Sequence, residues 1–234
     1  MIAFNREALK NAIRKSIKRV FQAQNAEVNL YRNTLDCFSA SIDSVIQGIS
    51  MEEWLVQEKE RQIQKTKQNA IGSLHEDIMG SIPGVTSLPV GNLIDIISER
   101  LLLVAEIKNK HNTTKGNHKV QIYRDLAQAI ARHPGYIGYY VEILPKGQGR
   151  YNLPFTPSDN QTNSRLLSRE DIRVIDGKSF YALLTGHENA INELYAELPL
   201  LVAEIIKEEF GKELSTENIV NSESFMHSFR KAYE

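Results

Sequence analysis

Leu93-Ile-Asp-Ile-Ile-Ser-Glu-Arg-Leu-Leu-Leu-Val-Ala-Glu-Ile-Lys108 is the stretch on which the fold turns. Two runs dense in aliphatic and β-branched residues flank Glu99-Arg100, the pattern of a hairpin. Within the runs, ionisable side chains stand only at Asp95, Glu106 and Lys108. An apolar strand that carries such groups inward is destabilised unless they are paired or bound to a metal. Glu106 and Lys108 are two apart and share a strand face. Pairing across the turn sets Asp95 opposite the Val104–Glu106 region. Carboxylates that close repel, and a divalent cation reconciles them. With no Cys or paired His nearby, hard oxygen donors select magnesium over zinc. A lysine beside such an ion can orient or help deprotonate water and offset charge growing on a phosphoryl group. The chemistry that follows is metal-assisted hydrolysis of a phosphodiester.

The sequel, Asn109-Lys-His-Asn-Thr-Thr-Lys-Gly116, is polar and basic. From Glu106 to Arg150 there are eight Lys/Arg against three Asp/Glu. Lys110, Asn112, Thr113, Lys115, Asn117 and Lys119 are of the types that contact phosphate oxygens and, for the amides, base edges. His111 and His118 are read as solvated or hydrogen-bonding loop residues, since Lys108 and the metal already supply the chemistry.

The rest of the chain frames this centre. Residues 5–32 are expected to be helical, with Leu9, Ile13 and Ile17 on one face and Arg6, Lys10, Arg14, Lys15, Lys18 and Arg19 on the others. That basic side reads first as a solvated face and second as a phosphate contact. A second helical stretch covers Thr34 to Gln47. Ser50-Met-Glu-Glu53 has the form of a capping box opening a long helix to Met79, which Gly80-Ser-Ile-Pro-Gly84 ends. Val85–Ser98 and Leu101–Lys108 read as strands, residues 118–132 as an amphipathic helix, and Ile137–Leu144 as a buried strand. Strand, strand, helix, strand is α/β order, with the helix as a crossover. Pro145–Ser164 reads as a loop of about twenty residues, long enough to suggest a role. Within it Lys146 and Arg150 are candidates for guanine or phosphate, while Tyr151 and Phe155 more simply anchor the loop. A strand near Arg173–Asp176 and further helices complete the chain.

The 234 residues are 41% hydrophobic and 24% charged, with a net charge of −1. That is ordinary globular composition, so a nucleic-acid surface must come from local clustering. No apolar run approaches a membrane span and the first residues lack a signal-peptide core, which fits a soluble cytoplasmic protein. Cys37 stands alone, excluding an intramolecular disulfide and a cysteine zinc site, and is expected to be a small buried apolar residue.

Asp95, a ten-residue gap and Glu106-Ile-Lys108 resemble the PD-(D/E)xK nuclease superfamily. The proline that often precedes the aspartate is replaced by Ile94. Many members place a glutamate on the preceding helix, and Glu76 in Gly72-Ser-Leu-His-Glu76 matches it; His75 is expected to border the same cleft. The text Glu106-Ile-Lys-Asn-Lys-His-Asn-Thr-Thr-Lys-Gly116, Tyr123-Arg-Asp-Leu126, Gly138-Tyr-Tyr-Val141 and Asp176-Gly-Lys-Ser-Phe-Tyr181 narrows the likeness, over about residues 55–210. It is similar to type II restriction endonucleases that cut GGNCC or GGWCC palindromes.

The resemblance implies an α/β restriction-endonuclease-like core, a mixed central sheet flanked by helices with helical N- and C-terminal additions. The chain divides as one nuclease domain over 1–234: a helical part over 1–68, a catalytic core over 69–185 and C-terminal helices over 186–234. It also implies Mg²⁺ held by Asp95, Glu106 and Glu76, Lys108 as catalytic lysine, and double-stranded DNA as substrate. A palindrome calls for a homodimer, and a restriction enzyme for a cognate DNA methyltransferase encoded nearby. A repair or junction-resolving nuclease of the same fold, or a non-catalytic DNA-binding module, are the alternative readings.

Overall fold

The computed structural model describes residues 1–26, 29–32, 34–89, 91–114, 116–147, 149–159 and 161–234. Helix α1 (Arg6–Asn25) begins where Asn5 Oδ1 accepts from the Ala8 amide at 3.0 Å. It buries Leu9, Ile13 and Ile17, the face its spacing marks as apolar. The helix expected to Arg32 stops at Asn25; a 3-10 turn at Leu30–Arg32 follows, with residues 27 and 28 outside the described set. Helix α2 (Cys37–Gln47) is capped by Asp36, and Ala40 is the residue it buries. Cys37 is exposed, against expectation, because so little of α2 touches the body.

Helix α3 (Met51–Gly72) has the capping box: Ser50 Oγ accepts from the Glu53 amide at 3.2 Å, and Glu53 Oε2 accepts from the Ser50 amide at 2.8 Å. The single long helix expected to reach Met79 is broken at Ser73, whose ψ of −1° leaves the helical ladder. It restarts as α4 (Leu74–Gly80), which carries Glu76.

Strands β1 (Thr86–Ser87), β2 (Ile96–Ser98) and β3 (Leu103–Lys110) are antiparallel neighbours. Strand character over 85–98 is confined to the two ends of that run, and residue 90 lies outside the described set. Helix α5 (Gly116–Arg132) crosses over to β4 (Ile137–Leu144), which pairs parallel with β3. The expected Pro145–Ser164 loop contains β5 (Asn152–Pro154) and one arm of a small hairpin, β6 (Ser158–Asp159) with β7 (Ser164–Arg165). Strand β8 (Ile172–Asp176) pairs parallel with β4 and takes β5 as an antiparallel edge. The sheet order among the described residues is β1-β2-β3-β4-β8-β5, mixed and helix-flanked as the α/β reading expects. The sequence hid β5 because an edge strand ending in proline is defined by its partner rather than by its own pattern.

Strands covered on both faces read as continuous apolar runs, which is why β3 and β4 were legible. On one face Val104, Tyr140 and Ile172 pack under α5 through Ile122, Tyr123 and Leu126. Phe155 joins them, its ring 4.8 Å from that of Tyr140, so it anchors its loop as expected. On the other face Ala105, Ile107, Val141 and Ile175 meet α1 and α4. Helices α6 (Gly177–Thr185), α7 (Ala190–Phe210), α8 (Glu217–Val220) and α9 (Glu223–Tyr233) complete the chain, and α6, α7 and α9 pack on that second face. No helix of the described residues is long and apolar enough to cross a membrane.

Of the basic side of α1, Lys15 and Arg19 are solvent-exposed as expected, while the other four cations are paired. Arg6 pairs with Glu197 at 2.5 Å and Glu204 at 2.5 Å, Lys10 with Glu208 at 3.0 Å, and Arg14 with Glu208 and Glu209 at 2.7 and 2.9 Å. Lys18 closes this ladder along α7 on Glu209. Such half-exposed pairs are screened over a Debye length of about 8 Å at physiological salt. Arg14→Gln should lower the thermal midpoint by about 1–3 °C at low ionic strength and by less at high salt. Equal losses at both, measured by circular dichroism, would mean Arg14 acts through packing. Gly177 begins α6 so close to β4 that an added Cβ would lie 2.5 Å from the Ile143 carbonyl oxygen. Gly177→Ala should therefore cost about 1–3 kcal/mol in urea unfolding; an unchanged midpoint would show that β4 and α6 can part at no cost.

Candidate active site

The hairpin turn spans Glu99 to Leu102, two residues more than the dipeptide expected, and Leu102 takes a left-handed φ of 50°. Its register sets Ile96 opposite Ala105 and so brings Asp95 beside Glu106. The Asp95 amide donates to the Ala105 carbonyl at 3.0 Å, and Asp95 Oδ2 accepts from the Ile107 amide at 2.6 Å. Backbone and side chain of Asp95 are thus both fixed to β3. Glu106 and Lys108 share a face of β3, as their spacing requires, and Lys108 Nζ donates to Glu106 Oε1 at 2.5 Å and to the Ile107 carbonyl at 3.2 Å. Glu76 reaches the same group from α4, close enough to feel the charges of Asp95, Lys108 and Glu106.

Crowding of like charge sets the electrostatics. Burial, and then the Asp95 charge, push Glu76 up to about 7, with Lys108 partly opposing. Burial and Asp95 likewise raise Glu106 to about 6. Burial would lower Lys108, but its hydrogen bond to Glu106 and the charges of Glu106, Asp95 and Glu76 raise it above its ordinary value, so it is an ammonium at neutral pH. Three carboxylates against one ammonium form a donor set whose chemistry fits a hard divalent cation. Among the described residues no group of three or more His, Cys, Asp or Glu is already closed to grip a metal. Glu76, Asp95 and Glu106 are the residues that could hold one.

His75, expected at the same cleft, is engaged by Tyr181. Its Nδ1 lies 2.8 Å from Tyr181 Oη, and burial pushes it down to about 4, so the ring is neutral. The DNA-contact candidates divide. Lys110, Asn112, Thr113 and Asn117 are exposed around the end of β3 and the start of α5. Thr113 Oγ1 donates to the Lys110 carbonyl at 2.7 Å, shaping the turn. Lys115 lies outside the described residues. Lys119 is drawn inward: its Nζ donates to Glu142 Oε1 at 2.9 Å and sits 5.3 Å from the centre of the Tyr140 ring. Arg150 donates to Ser179 Oγ at 3.0 Å and pairs with Glu188. Lys146 is exposed.

Glu142 escaped the sequence reading. It is the Cα partner of Lys108 across the parallel β3–β4 pair and is only 6% exposed. Its other oxygen accepts from Tyr151 Oη at 2.6 Å. Asp176 stands next in the row, in register with Glu142, and accepts from the Tyr151 and Ser179 amides at 2.7 and 2.9 Å. Lys108, Glu142 and Asp176 thus line the carboxyl ends of three parallel strands. The signal was available: Glu142 interrupts Ile137–Leu144 as Glu106 interrupts β3.

Comparison with known proteins gives the same direction. The family model of the Eco47II restriction endonuclease matches residues 3–207. The chain is 36% identical over 213 residues to the type II restriction enzyme Eco47II of Escherichia coli, covering 89% of this chain and 87% of the relative. It is 32% identical over 189 residues to the type II restriction enzyme Sau96I of Staphylococcus aureus, covering 80% of this chain and 72% of the relative. The family match starts at residue 3, well before the residue near 55 where the resemblance in motif text begins, and takes in α1 to α3 with the sheet. The chain belongs to the Eco47II restriction endonuclease family.

Proposed function

We propose that this chain, acting as one nuclease domain, hydrolyses phosphodiester bonds of double-stranded DNA at a short palindrome of the GGNCC kind, with Mg²⁺. The observation that carries the reading is the convergence of Asp95, Glu106 and Lys108 on one strand pair, with Glu76 brought up from α4. Asp95 and Glu106, with Glu76 beside them, would hold the ion; when bound, Mg²⁺ supplies Lewis-acid polarisation of the phosphoryl oxygens. Lys108, protonated, donates hydrogen bonds to the charge that grows on the phosphate. Asp95 is kept in place by the Ile107 amide, so it cannot swing away under repulsion from Glu106. Lys110, Asn112, Thr113, Asn117 and Lys146 form the exposed surface that would meet the phosphates, with Lys115 in the same loop by sequence. Lys119 and Arg150 serve first to hold Glu142 and Glu188. A soluble cytoplasmic homodimer, encoded beside a DNA methyltransferase, completes the reading.

Incubation of the protein with plasmid and Mg²⁺ tests it. Discrete, reproducible fragments are expected; structure-dependent nicking would favour a repair nuclease, and binding without cleavage a non-catalytic module. Lys108→Ala should abolish cleavage and leave specific DNA binding within a few-fold, and loss of binding and fold together would make Lys108 structural. Asp95→Asn or Glu106→Gln should reduce Mg²⁺-dependent cleavage by at least about 100-fold, and near-normal activity in either would refute the metal assignment.

The raised acids also make a stability prediction. Their folded pKa lies above the unfolded value of about 4.3, so each opposes folding as pH rises through the folded value and leaves stability untouched below about 4. Without metal, Glu76→Gln should therefore stabilise the chain at pH 8 by about 1–2 kcal/mol, after allowance for partial exposure. It should do nothing below the unfolded pKa. A Glu76→Gln chain less stable at pH 8 would show that the carboxylate is held by attraction.

A further inference from the structure

Helix α2 is turned inside out. Phe38, Ile42, Val45 and Ile46 recur on one helical face and are 79%, 59%, 80% and 77% exposed. The opposite side, with Asp36, Ser39 and Asp43, lines a polar groove of about 940 Å³ against Trp54, Glu58 and Arg61 of α3. Asp43 Oδ2 accepts from Trp54 Nε1 at 3.4 Å, and Ala40 is the buried residue of the helix. An amphipathic helix at the surface of an isolated globule does the reverse, turning its apolar stripe to the core.

We propose that this face of α2 is the surface through which two copies of the chain pair. Between Cys37 and Gln47 the only charged residue is Asp43, and it lies on the groove side, so two copies of the apolar face meet without like-charge repulsion. The four side chains leave roughly 500 Å² in water, near the largest patch that ordinary monomers expose. That is most of the apolar centre of an interface burying about 800 Å² per partner. A face that pairs with itself gives an isologous, closed dimer rather than a chain of subunits. A lipid surface is a poor alternative occupant, because α2 has no Lys or Arg to meet anionic headgroups. The need for a second copy rests on the restriction reading, in which one centre per chain must serve two DNA strands. The exposed apolar face stands independently of it.

Sedimentation velocity of the full chain across the micromolar range tests the proposal, with Phe38→Glu/Val45→Glu as the disrupting variant and Leu167→Glu as the control at an equally exposed apolar residue elsewhere. The wild type and the control should sediment as dimers. The double variant should keep its circular dichroism while its dissociation constant rises by at least about 100-fold. A double variant that dimerises like the wild type places the interface elsewhere and overturns the proposal. A wild type that stays monomeric throughout, whether or not it floats with phosphatidylserine vesicles or needs a different protein to cover α2, overturns it equally. Plasmid cleavage separates this from the functional reading: if the proposal holds, the monomeric variant accumulates nicked circles where the wild type gives linear product. A wild type that never cuts DNA refutes the nuclease reading, while sedimentation still decides the interface.

Discussion

Everything at the site depends on one hydrogen bond, from the Ile107 amide to Asp95 Oδ2, at 2.6 Å. It ties a carboxylate to the backbone of the neighbouring strand, between two residues whose side chains carry opposite charge. With Asp95 fixed there, Glu106 cannot ionise without feeling it, and Lys108 cannot leave Glu106 without exposing that repulsion. The surrounding sheet makes the arrangement tolerable. Strands β3 and β4 are packed on both faces, and a packed sheet resists the small shifts that would let the charges separate. A centre built this way holds a local electrostatic deficit that a divalent cation would remove.

How much of this was legible depends on the range of the interaction. The β3 strand, the shared face of Glu106 and Lys108, and the approach of Asp95 follow from spacing and from a turn within the same stretch, so the sequence displayed them. The capping box of α3 was equally local. The break at Ser73 was not, since Gly72-Ser73 is a weak signal inside a long helical pattern and the chain turns there to bring α4 against the sheet. Lys119 and Arg150 read as free cations because their partners, Glu142 and Glu188, are 23 and 38 residues away. Cys37 is exposed against expectation for a related reason. Periodicity identifies an apolar stripe but does not say whether the chain itself will cover it.

Several cations of this molecule are therefore spent internally. Of the cations that looked available, Lys119 and Arg150 hold acids of the fold, and Arg6, Lys10, Arg14 and Lys18 of α1 are engaged along α7. The positive surface near Asp95 and Glu106 is smaller than the composition of residues 106–150 implies, and its exposed members Lys110, Asn112 and Thr113 lie at the end of β3. On the proposed reading a duplex would meet that exposed stretch next to the acid cluster. Register on the DNA would then be set close to the scissile bond.

The ladder between α1 and α7 has a consequence for how the molecule comes into being. The partners of Arg6 lie 191 and 198 positions further along the chain. A ribosome working from the first residue makes α1 at the start and its glutamates only near the finish. Helix α4 and strands β2 to β8 emerge in between, and with them Glu76, Asp95 and Glu106. Until Glu197 to Glu209 appear, α1 lacks its partners across the face and the second face of the sheet lacks α7 and α9. Vectorial synthesis thus delivers Asp95, Glu106 and Lys108 early but the α7 layer behind them late, so the acid cluster is made before the face of the sheet behind it is covered.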